Sequence, residues 1–90
     1  MRKIRLLVAD DHAVVRMGLV TLLESEKDIE VVGEAGDGDA AVSAARKTSP
    51  DVVLMDLVMP KKDGADATAA IKAERPETKV LILTTFSDTD

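Results

Sequence analysis

The sequence predicts one α/β domain, a parallel sheet wound on both faces by helices. Three observations carry this. Four short runs rich in Val, Ile and Leu, at residues 3–9 (KIRLLVA), 29–34 (IEVVGE), 51–56 (DVVLMD) and 79–85 (KVLILTT), read as strands buried on both faces. Stretches of helical period separate them, giving the order βαβαβαβ. Turn residues stand at the junctions, and an alternation of this kind implies right-handed crossovers.

Each element follows from its own residues. After the first strand come Asp10, Asp11 and His12, and a helix from about residue 12 to residue 25 carries Val15, Leu19, Leu22 and Leu23 as one apolar stripe. Behind the second strand, Gly36-Asp37-Gly38 opens a second helix with the stripe Ala41, Val42 and Ala45, which Ser49-Pro50 closes. The third strand runs into Pro60 and Gly64, ahead of a third helix striped by Ala67, Ala70 and Ile71 and ended at Pro76. The fourth strand ends in Thr84 and Thr85. The chain contains no internal repeat, low-complexity stretch or linker.

Composition bounds what such a domain can do. Ninety residues make at most one domain, and a chain of this size buries only roughly 60 to 65% of its unfolded surface, so marginal stability is expected. Hydrophobic content of 46% and charged content of 32% are ordinary for a globular chain. The run LLVA behind the basic start Met1–Arg5 is too short for the apolar segment of a secretion signal. With no cysteine there is neither a disulfide framework nor a thiolate metal site. These features lead us to expect a soluble, cytoplasmic chain with no membrane contact. The net charge of −5, from 17 acidic and 12 basic residues, argues against nucleic-acid backbone binding by these residues.

In an open parallel sheet, ligands bind outside the carboxyl ends of the strands, where the strand order reverses. Asp10 and Asp11 follow the first strand, Asp56 ends the third, and Thr84 and Thr85 end the fourth. In the flavodoxin-like order 2-1-3-4 the first and third strands are neighbours, which crowds the three carboxylates together. Such a group repels itself unless a hard cation sits within it, and Mg²⁺ suits oxygen ligands. Each residue also has a plainer reading. Asp10 and Asp11 can cap a helix, Asp56 can start a turn, and the threonines can be ordinary strand formers. His12, at a helix start, reads as an exposed or capping residue. Gly33–Gly38 (GEAGDG) does not have the spacing of a dinucleotide loop, and no P-loop occurs.

The segments LLVADDHAVVRMGL (residues 6–19), VVLMDLVMPKKDG (52–64) and VLILTTF (80–86) resemble, in order and spacing, the receiver domain of bacterial two-component response regulators. The Asp-Asp-His opening and Thr-Thr-Phe ending resemble in particular the NarL/FixJ-like branch, whose members carry a LuxR-type helix-turn-helix DNA-binding domain after the receiver. That resemblance implies that Asp56 is the phosphoacceptor, Asp11 a direct Mg²⁺ ligand and Asp10 a ligand acting mostly through water. It further implies that the Val58 backbone carbonyl completes the metal site and that Thr84 is the switch hydroxyl. Val58 and Phe86 match positions that tune hydrolysis of the acyl phosphate. The implied partners are a sensor histidine kinase and, only through a C-terminal domain, DNA. The implied activity is that of a phosphoacceptor, which catalyses at most its own phosphorylation and dephosphorylation.

The family pattern continues with a fourth helix, a fifth strand bearing a lysine for the phosphoryl group, and a last helix. Residues 1–90 contain none of these, so the expectation is a receiver truncated after its fourth strand, with no DNA-binding domain. Lys62 stands where the family is commonly apolar. A haloacid dehalogenase-type phosphatase is set aside because its second aspartate would fall at Val58. The remaining alternative is a receiver-like interaction module, or an inactive fragment, that takes no phosphoryl group. An apolar fourth strand at the sheet edge predicts self-association.

Overall fold

All four apolar runs form strands in the computed structural model, which describes residues 2–59 and 61–83. The elements are β1 (Ile4–Ala9), α1 (Ala13–Glu24), β2 (Ile29–Ala35), α2 (Gly38–Thr48), β3 (Val52–Asp56), α3 (Gly64–Glu74) and β4 (Lys79–Leu83). Every pairing is parallel and the order is β2-β1-β3-β4, as expected. Boundaries agree with the sequence reading to within two residues wherever they fall among the described ones. Thr84, Thr85 and Phe86 lie outside the described residues.

The β-strand period of two divides the central strands between two faces. Leu7 and Ala9 of β1 and Val53 and Met55 of β3 join Ala41, Val42 and Ala45 of α2 and Ala67 and Ile71 of α3 in one buried cluster. The striped positions of both helices therefore face the core. On the opposite face α1 lies over β2 and β1, and beside it Ile4, Leu23, Leu54 and Leu81 line an apolar groove of about 230 Å³.

The reading of α1 needs correction. Leu19 and Leu23 are half-buried, but Val15 and Leu22 are exposed, Leu22 at 65%, and no residue of the helix is fully buried. The inward face is instead Arg16, Leu19, Val20 and Leu23. Since α1 is apolar nearly all round, its hydrophobic pattern could not select a face. Among the described residues its main packing is against β1 and β2.

Helix ends obey local chemistry. Asp37 and Asp63 cap α2 and α3, accepting from the backbone N–H of Ala40 (2.8 Å) and Asp66 (2.9 Å). Ser49 closes α2 in the left-handed region (φ 48°), and Pro50 follows where the helix cannot continue. Both loops behind the acidic end of the sheet require glycine by close approach. A Cβ on Gly38 would stand 1.7 Å from the Lys62 carbonyl oxygen, and one on Gly64 2.2 Å from that of Asp56.

Candidate functional site

Register brings the acids together. β1 and β3 are adjacent, with Ala9 opposite Met55, so Asp10 and Asp56 leave the sheet side by side. Each is 1% exposed. Both use one carboxylate oxygen for the same local device, a turn in which the side chain accepts the backbone N–H two residues on. Asp10 Oδ1 accepts from His12 N at 2.8 Å, and Asp56 Oδ1 accepts from Val58 N at 3.2 Å.

The second oxygens have no such partner. Asp10 Oδ2 and Asp56 Oδ2 are buried without any hydrogen bond, an arrangement that costs several kcal/mol for a charged group left alone. Asp11 adds a third, more exposed carboxylate, and one ligand atom from each of Asp10, Asp11, His12 and Asp56 lies within 4.8 Å of the others. Among the described residues no lysine or arginine forms an ion pair with these acids. The Lys61 ammonium sits 3.7 Å from Asp37 instead. Two orphaned buried oxygens and an oxygen-rich donor set fit a divalent cation.

The plainer readings are thus partly right. Asp56 does start a turn, and so does Asp10, but with one oxygen each. The capping reading of Asp10 and Asp11 fails, because the N-cap of α1 is His12, whose side chain makes no capping bond. Val58 offers its N–H to Asp56 while its side chain is exposed. The turn that Asp10 makes carries His12 back over the acids, with Nδ1 3.1 Å from both Asp10 Oδ1 and Asp11 Oδ1. Those carboxylates raise the imidazole pKa above its ordinary value, chiefly through the bond to Asp10 and then the charge of Asp11. The sequence reading left His12 outside the site. The signal was its place two residues after a turn-forming aspartate.

Arg16 was also missed. Its Nη1 donates to the Asp10 carbonyl at 2.6 Å and its Nε to Glu34 at 3.2 Å, pinning the start of the acidic loop to the end of β2. Placed one turn inside α1, it anchors by reaching backward along the helix.

The sequence of residues 6–90, which includes both buried aspartates, matches the family described as response regulator receiver domain. The chain belongs to that family. The receiver is 53% identical over 87 residues to the transcriptional regulatory protein LiaR of Bacillus subtilis, covering 97% of this chain and 41% of LiaR. Against the response regulator protein VraR of Staphylococcus aureus it is 47% identical over 83 residues, covering 92% of this chain and 40% of VraR. The chain therefore spans about two fifths of the length of these curated relatives. Its fold superposes with a TM-score of 0.90 on the signal receiver domain of the putative response regulator NarL from Mycobacterium tuberculosis, at 39% identity, covering 98% of this chain and 71% of that one.

Proposed function

We propose that this receiver accepts a phosphoryl group on Asp56 from a sensor histidine kinase and thereby switches a transcriptional output carried elsewhere in the protein. The observation that carries this is the pair of partnerless, buried oxygens on Asp56 and Asp10 at the carboxyl end of the sheet. An Asp56 oxygen supplies the electron pair for a new P–O bond as the P–N bond of phosphohistidine breaks and its pair returns to the imidazole. The Val58 N–H fixes the carboxylate plane during this step. Asp10, Asp11, Asp56 and the Val58 carbonyl would hold Mg²⁺, which when bound neutralises charge on the transferred group. Thr84 would then hydrogen-bond the phosphoryl oxygens as the switch hydroxyl.

Incubation with acetyl phosphate and Mg²⁺ tests the reading by intact mass. The native chain should gain an acid-stable, base-labile phosphoryl group, and Asp56→Asn should gain none. A chain that stays unmodified would favour a receiver-like interaction module. Self-association belongs to the same proposal. β4 pairs only with β3 among the described residues, and Leu81 is 57% exposed on it, which makes an edge able to pair with a second copy. Sedimentation that stays monomeric across concentration would remove that part.

A further inference from the structure

A cavity of opposite character lies at the amino end of the sheet, away from the acids. Its volume is about 670 Å³, and Arg2, Lys3, Arg75 and Lys79 line it together with Asp51 and Glu77. We propose that it binds a free oligophosphate anion, of the class of pyrophosphate and tripolyphosphate, at a site separate from the phosphoacceptor pocket and independent of it.

A local surplus of positive charge carries the argument, on a chain whose net charge is −5. Asp51 is committed, with one oxygen taken by Arg2 and the other by the Arg5 backbone N–H, which leaves Glu77 as the other acid of the lining. Lys3, Arg75 and Lys79 take part in none of the ion pairs among the described residues. Arg75 supplies a second observation: it is half-buried, and its Nε is shielded from water with no acceptor, so the fold leaves this guanidinium short of a partner. The carboxyl ends of α2 and α3 point to the same side, and their dipoles would repel an anion. Those ends are already served, because Arg5 donates to the Thr48 and Ser49 carbonyls and Lys72 to those of Pro76 and Thr78. The floor is fixed by backbone bonds from Asp51 to Arg5 and from Lys79 to Asp51, and by Thr78 Oγ1 donating to the Pro50 carbonyl. The donors set the ligand class. A guanidinium fork matches two phosphate oxygens and lysines act as point charges, so cations spread around a cavity of this size suit a chain of phosphates better than one small anion. No aromatic side chain lines the cavity, so nothing there stacks a base and the phosphate chain itself is recognised.

The test is titration of the chain with tripolyphosphate in metal-free buffer, followed by amide chemical shifts and calorimetry. Saturable shifts should fall on Lys3, Asp51, Glu77 and Lys79 and spare Asp10, Asp11 and Asp56. Orthophosphate should bind at least about tenfold more weakly, and added salt should weaken both. Lys3→Gln combined with Lys79→Gln, at two exposed positions, should weaken tripolyphosphate by about fivefold. Glu77→Gln removes the opposing charge and should tighten it by about twofold. Asp56→Asn should bind as the native chain does, which keeps this site distinct from the phosphoacceptor reading. Shifts centred on the acidic end, a titration that does not saturate, or unchanged affinity in both the double lysine variant and Glu77→Gln would overturn the assignment.

Discussion

Two aspartates bracket β3, and they have opposite fates. Asp51, just before the strand, is saturated: Oδ1 accepts from Arg2 at 2.8 Å and Oδ2 from the Arg5 backbone N–H at 2.9 Å. Its backbone N–H and carbonyl bond Arg5 and Lys79, so it ties three strands at the amino end of the sheet. Asp56, at the other end, has one oxygen held by Val58 and one held by nothing. In the string DVVLMD the two are indistinguishable by type and flanking. What separates them is which backbone and side-chain donors the fold delivers to each end. A saturated carboxylate is structural, and one left short while buried is available for chemistry.

The largest effect should fall where the acidic end depends on close backbone approach. Gly64→Ala places a methyl against the Asp56 carbonyl oxygen and Leu57 Cα, and should cost about 3 kcal/mol in chemical denaturation. An unchanged midpoint would mean that the loop behind Asp56 is not held this tightly. At the other end, Asp51→Ala removes the acceptor of the Arg5 N–H and should cost about 2 kcal/mol, most of it from that bond because the Arg2 pair is exposed. Phosphorylation by acetyl phosphate should survive the change under conditions where the chain stays folded.

A smaller effect sharpens the contrast from the ligand side. Asp11→Asn should weaken Mg²⁺ by at least about tenfold in titration with little change in stability, since Asp11 is exposed and, among the described residues, its side chain pairs with His12. Equal affinity in the variant would remove Asp11 from the site. The smallest concerns the loop between the acid and α3. Lys61 adopts φ 69° without being glycine, and Lys61→Gly should stabilise by about 0.5 kcal/mol, strain relief offset by the greater freedom of the unfolded chain. A loss of stability would show that its weak pairing with Asp37 matters more than the backbone.

The parallel sheet was legible because β1 and β3 are dominated by apolar residues, with Arg5 the exception in β1, and the convergence of Asp10 with Asp56 followed from the flavodoxin-like order 2-1-3-4, which makes those two strands neighbours. The face of α1 was not legible. Val14, Val15, Met17 and Leu22 are apolar yet exposed, and a helix apolar around most of its circumference carries no directional signal. His12 and Arg16 escaped for another reason. Their places depend on the turn that Asp10 makes and on a bond from α1 back to β1, neither of which leaves a periodic trace. Likewise Gly38 reads as a turn residue, whereas the fold needs it because another loop's backbone comes against it. The expectations for Thr84 and Phe86 lie outside the described residues.

We propose that Asp56, and not Asp51 at the other end of β3, is the group that reacts. Asp51→Asn, Asp56→Asn and the native chain should be incubated in parallel with acetyl phosphate, with and without Mg²⁺, and followed by intact mass. The account predicts Mg²⁺-dependent addition of one phosphoryl group to the native chain and to Asp51→Asn, and none to Asp56→Asn. A phosphoryl group on Asp56→Asn, or its loss in a folded Asp51→Asn, would contradict it.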